Sequence, residues 1–197
     1  MKALLALLIL LCCSLPLVAE EADHADHEEL RGILRGVESA INAEKYSDLA
    51  PFFHEHLRVT RVNQQLITTP AGLEPYFKEW IGPDQYVKKL VMKLTADDLT
   101  EFYGTGDNRF GVVRGSGTED YALKDGRHLD MKTRWTATVV RDQGKWKILS
   151  LHIGANFYDN PIVSQFQKAN TTYGLGGLAL GLVLGVGATL VLRRKSS

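Results

Sequence analysis

The chain has 197 residues, 45% of them hydrophobic, with 23 basic and 23 acidic residues and a formal net charge of +0. With Lys2, Arg193, Arg194 and Lys195 set aside, the stretch from residue 20 to 172 keeps 19 basic against 23 acidic residues, about −4. That balance argues against a nucleic-acid partner, which needs a basic face, and about 150 residues suffice for one domain with a core of its own.

The first nineteen residues, "MKALLALLILLCCSLPLVA", begin with the basic Lys2 and an uncharged apolar run. Ser14 and Pro16 break the run, and the small Ala19 precedes "EEADHADHEE". This layout predicts a secretory signal peptide over 1–19. Both cysteines, Cys12 and Cys13, lie in it, so the mature chain has no disulfide and depends on ordinary packing. Residues 20–26 read as a polar leader.

Leu30, Ile33, Leu34, Val37 and Ile41 recur at helical spacing and predict an amphipathic helix over 27–44, with Asp23 or Asp26 available as a cap. "YSDLAPFF" predicts a second, short helix with Ser47 as cap. "LRVTRVN" (57–63) alternates as a strand, Gln64 and Gln65 turn it, and "LITT" returns. "TPAGLEPYFKEWIG" has a Thr cap, a proline in its first turn and a terminal Gly82, the marks of a third helix. The strand signals that follow are "YVKKLVMKL", "LTEFYG", "RFGVVRGSG", "TEDYAL", "LDMKTRWTATVVRD" and "KWKILSLHIGANF". Their short connections, "GDN", "KDG" and "DQG", are hairpin chemistry. Helices followed by a meander predict an α+β domain over 27–161, its N-terminal helices packed on one face of a curved antiparallel sheet.

Residues 162–172 read as a linker. Tyr173 to Leu192 is 20 residues without a charge, which as a helix spans about 30 Å, the thickness of a bilayer's hydrocarbon core. Arg193, Arg194 and Lys195 follow in the short tail 193–197, and basic residues mark the cytoplasmic side. The expectation is a single-pass protein of the cell membrane with its N-terminal domain exported, in a bacterium to the periplasm. Gly177, Gly181 and Gly185 share one helix face and permit close approach of a second helix, which makes a homo-oligomer an expected partner arrangement.

The order "INAEKYSDLAPFFHEHLRV" early and "GKWKILSLHIGANF" late resembles the NTF2-like superfamily, and more narrowly its SnoaL-like, DUF4440-type branch, over about residues 27–160. The resemblance implies a cone with a deep pocket between sheet and helices, in a superfamily of isomerases, dehydratases, hydrolases and cyclases as well as non-catalytic hubs and carriers. Ketosteroid isomerases carry a tyrosine on the first helix and a general-base aspartate on the first strand. Aligned on Asn42 and Ala43, those positions fall on Gly36 and near Arg61, so that proton-transfer set is missing. The association domain of calcium/calmodulin-dependent kinases is similar in its terminal Trp and His, whose spacing Trp146 and His152 reproduce.

Five residues are pocket candidates. Counted by strand parity, His152 shares a face with Trp146, Ile148 and Ser150, where it either meets a ligand or is hydrogen-bonded into the wall. Arg134, inside "KTRWTATVV", either holds an anion in the pocket or forms a salt bridge at the sheet surface. Tyr103, Tyr121 and Asn156 are weaker candidates. His24 and His27, near Asp23 and Asp26, close no ligand set, so no metal is expected, and no cofactor is implied. The sequence points to a membrane-anchored extracytoplasmic domain that binds a small or lipidic ligand or self-associates without catalysis. The alternative is a SnoaL-like lyase, isomerase or hydrolase with His152 as acid/base.

Overall fold

The computed structural model describes residues 23–195, so the expected signal peptide at 1–19 lies outside the described residues. The chain divides into two compact units, with the boundary between Ala155 and Asn156.

In the first unit, helix α1 covers 23–42. It includes part of the stretch expected as a polar leader, because tertiary ion pairs hold its first turn. The Asp26 carboxylate, 5% exposed, takes a hydrogen bond from Arg109 at 2.8 Å and a second from Arg141, and Asp23 also accepts from Arg109. Asp26 is therefore an ion-pair hub inside the helix and not its cap. Three further polar side chains bind α1 to the backbone of the sheet. Glu29 accepts the Trp146 N–H at 2.8 Å, Glu38 accepts the Leu94 N–H at 2.6 Å, and the Asn42 amide both donates to and accepts from Met92, at 2.8 and 2.7 Å. The apolar stripe of α1 thus faces the sheet, with Ile33, Val37 and Ile41 buried.

A 3₁₀ helix, Tyr46–Phe52, replaces the expected second helix. Ser47 does not cap it; the capping position is Lys45, without a side-chain bond. The strands are β1 (Phe53–Thr60), β2 (Leu66–Ile67), β3 (Val87–Ala96), β4 (Glu101–Tyr103), β5 (Phe110–Leu123), β6 (His128–Asp142) and β7 (Lys145–Ala155), with helix α2 (Leu73–Trp80) between β2 and β3. "RFGVVRGSG" and "TEDYAL" are one strand, not two. The sheet order is β2-β1-β7-β6-β5-β3, with β4 on β5. Its hairpins are antiparallel, but β1 and β7 pair in parallel, so the sheet is mixed where an antiparallel one was expected. The β6–β7 turn has positive φ at Gln143 and Gly144, the geometry of a two-residue hairpin.

The inward face of β6 alternates without a break: Met131, Thr133, Trp135, Ala137 and Val139 are buried, while Lys132, Arg134 and Thr136 are exposed. The facing stripe of β5 carries Gly111, Gly115 and Gly117. A Cβ on Gly115 would lie 2.1 Å from the Trp135 ring and 2.2 Å from the Thr95 carbonyl, so only glycine lets the indole lie flat against this strand. Gly36 plays a similar part on α1, where a Cβ would lie 2.3 Å from the Phe52 ring.

In the second unit, helix α3 spans Pro161–Lys195. The stretch 162–172, expected as a linker, is helical and continuous with the apolar segment. Over Pro161–Leu190 the helix is long and apolar enough to cross a membrane, and its most apolar stretch is not buried. Gly177, Gly181 and Gly185 are exposed on it.

Candidate functional site

Between α1 and the sheet lies a cavity of about 340 Å³. Leu30, Ile33 and Leu34 of α1 form one wall, and Val113, Trp135, Ala137, Val139 and Ile148 form the other. Its polar residues are His27, Arg31, Asp97, Asp98 and Thr100. A second cavity of about 70 Å³ shares the walls Leu34, Trp135, Ala137 and Ile148 and is otherwise apolar except for Arg61, Glu119 and Thr133.

Those three polar residues are all buried, at 6%, 2% and 3% exposure. Thr133 donates to Glu119 at 2.9 Å, and the Tyr121 hydroxyl donates to the other Glu119 oxygen. Burial, and then the Glu119 carboxylate beside it, push the Tyr121 phenol above its ordinary value of 10.0. The Arg61 guanidinium lies over the rings of Tyr76 and Phe77, 5.1 Å from each centroid, a cation–π platform. Its buried Nε has no hydrogen-bond partner.

The five pocket candidates scatter. Tyr121 is half-buried and reaches the cavity through Glu119. His152 is exposed and lines neither cavity. The parity count fails at a β-bulge: Thr138 pairs with Ser150 and Val139 with Ile148, which leaves Leu149 as an extra residue. One extra residue exchanges the two faces of a strand. Leu151 and Ile153 therefore face inward, and Ser150 and His152 lose the face of Trp146. Arg134 is on the exposed face of β6 and pairs with both oxygens of Asp97, one at 2.9 Å, so it is a surface ion pair and not a pocket anion site. It holds the Asp97 carboxyl below its usual range. Tyr103 is half-exposed, with its hydroxyl on Glu101 at 2.8 Å. Exposed Asn156 accepts the backbone N–H groups of Tyr158 and Asp159, at 3.0 and 3.3 Å, and so caps the chain after β7.

Glu119 and Arg61 are the buried charged residues of the cavities that the sequence did not single out as ligand contacts. A signal for Glu119 existed. Gly115 pairs with Trp135, Gly117 with Thr133 and Glu119 with Met131, so strand parity carried across the hairpin puts Glu119 on the inward face. Among the described residues no group of three or more His, Cys, Asp or Glu side chains is placed to hold a metal ion.

His27 stands where the cavity meets an aromatic stack, its ring 5.1 Å from Phe102, which in turn lies 5.2 Å from Trp146. Desolvation, the largest cause, lowers its pKa from the ordinary 6.5. A depressed histidine resists protonation in the fold, so its unfavourable effect is absent well above 6.5 and grows as pH falls through that value. Replacing it with asparagine should lessen the loss of thermal stability between pH 8 and pH 5.5. Parallel melting curves at the two pH values check this, and an unchanged difference between the two proteins would remove His27 from the account.

No family model and no curated protein matches the chain. Solved structures do. A protein assigned as a scytalone dehydratase from Novosphingobium aromaticivorans is 12% identical, with 70% of this chain and 89% of that one covered and a TM-score of 0.58. The hexachlorocyclohexane dehydrochlorinase LinA-type3 from Novosphingobium barchaimii is 14% identical, with 70% and 91% covered and a TM-score of 0.58. A protein assigned as a calcium/calmodulin-dependent protein kinase II association domain from Xanthomonas campestris is 18% identical, with 66% and 88% covered and a TM-score of 0.51. At such identities the likeness shows fold and not activity. A helix laid across a curved sheet, a cavity between them and these neighbours together show that the first unit has the NTF2-like fold.

Proposed function

We propose that this protein is a membrane-anchored NTF2-like binding domain of SnoaL-like type that holds a small amphipathic or lipidic molecule between α1 and the sheet. The observation that carries the reading is the cavity of about 340 Å³, mostly apolar in its walls and polar in few places, which is the usual make-up of a small-molecule site. Helix α3 supplies the anchor, with the domain on the extracytoplasmic side and the basic tail inside. The face carrying Gly177, Gly181 and Gly185 suits a second copy of the same helix.

The dehydratase and dehydrochlorinase neighbours suggest elimination chemistry as the competing reading. It loses its first candidate, because His152 is exposed. The buried carboxylate of the smaller cavity, Glu119, already accepts the hydroxyls of Tyr121 and Thr133.

Ala137 is 5% exposed and lines both cavities. Chain purified from membranes should carry a small molecule in near-stoichiometric amount, detected by mass spectrometry of the extract. Ala137→Leu should reduce that amount at least about tenfold, as the larger side chain fills the shared wall, while annular lipid around α3 is unaffected. Equal recovery from both proteins would sink the binding reading.

A further inference from the structure

Arg61 follows β1 directly, and its main-chain N–H donates to Gln65 at 3.0 Å. Its side chain is more than nine-tenths buried and lines the smaller cavity. Among the described residues no carboxylate stands within ion-pairing distance of it, and Nε has no partner. Glu119 lines the same cavity and offsets the charge at a distance, but Tyr121 and Thr133 take up its oxygens. The hydrogen-bonding capacity of Arg61 therefore remains unspent in a low-dielectric site, where leaving such groups unmade is costly.

We infer that Arg61 is the anchor for the carboxylate of an amphipathic monocarboxylic acid whose apolar body fills the larger cavity. The guanidinium fork matches a planar carboxylate in two parallel hydrogen bonds. The compartment of about 70 Å³ beside it is small, and Leu34, Trp135, Ala137 and Ile148 also line the larger cavity, which makes that cavity its apolar neighbour. Charge disfavours a dianion: with Arg61 and Glu119 lining the same compartment, a carboxylate leaves one excess negative charge in the buried site and a phosphate dianion two.

This inference rests on the cavity's being a ligand site. Labelled decanoate and decan-1-ol, bound to the full chain in phosphatidylcholine nanodiscs with empty nanodiscs subtracted, separate the two. Decanoate should bind at least about tenfold more tightly than decan-1-ol. Arg61→Met should erase that preference with decan-1-ol binding unchanged, and Arg61→Lys should retain part of it. Equal binding of the two probes by the native chain, or a preference that survives Arg61→Met, overturns the anchor and leaves the cavity reading in place. Binding of neither probe overturns both. If Arg61→Met does not fold, Arg61→Lys decides: a full preference there contradicts the need for a guanidinium fork.

Discussion

Asp26→Ala should lower the stability of the first unit by about 3 kcal/mol, a fall in melting midpoint of about 10 °C for a domain of this size. Asp26 is 5% exposed and accepts from both Arg109 and Arg141. Those cations are themselves packed on rings, Arg109 at 4.3 Å from the Phe102 centroid and Arg141 at 5.0 Å from that of Trp146. Removing the carboxylate leaves two arginines, each packed on an aromatic ring and only partly exposed, close together with their shared partner gone. The expected consequence is local as well as global. The first turns of α1 lose their shared tie to Arg109, just before β5, and to Arg141 of β6, so amide exchange in residues 23–30 should rise before the rest of the helix responds. A midpoint within 2–3 °C of the native value would mean that this cluster is a surface feature of little weight.

Gly115→Ala should cost about 2–3 kcal/mol, in the range of overpacking. The new methyl would meet the Trp135 ring at 2.1 Å and the Thr95 carbonyl at 2.2 Å. The carbonyl belongs to β3, whose Ala96 and Thr95 are in register with Gly115 and Ser116, so it moves only with the strand. The indole is the softer neighbour, but its Nε1–H donates to the Ser116 carbonyl at 3.1 Å, and it walls both cavities. The substitution should therefore shift tryptophan emission and weaken ligand binding along with stability. Gly32→Ala provides the contrast. Nothing lies within 4 Å of a Cβ there, and alanine in a helix should raise stability by about 0.5–1 kcal/mol. Equal effects at the two positions would contradict the packing argument.

The apolar spacing of Leu30 to Ile41, the hairpin signals and the uncharged run 173–192 are local periodicities. Each is expressed in the element it predicts, because a helix stripe or a two-residue turn depends on neighbours a few positions away. The α+β architecture follows from their order. The outward position of Arg134 was also legible, since Met131 to Val139 alternate without interruption.

The site was less legible, and the reasons are physical. His152 was placed inward by counting from Trp146, but the Leu149 bulge reverses the parity in mid-strand; its one trace in the sequence is the adjacent pair Ile148 and Leu149, after which the apolar alternation runs on through Leu151 and Ile153. The parallel pairing of β1 with β7 joins segments almost a hundred residues apart, Phe53 with Ile148, and no local pattern encodes such a partner. Glu119 and Arg61 read as ordinary surface charges in "GTEDY" and "VTRVN". Glu119 became a buried, doubly bonded carboxylate only once β5 ran unbroken against β6, and Arg61 became a cavity residue once Tyr76 and Phe77 of α2 came beneath it. The sequence alone determined the elements, their order and the apolar C-terminal segment, because those depend on short-range spacing. Tertiary structure decided which polar groups face the cavity, because that depends on strand register and on partners distant in the chain.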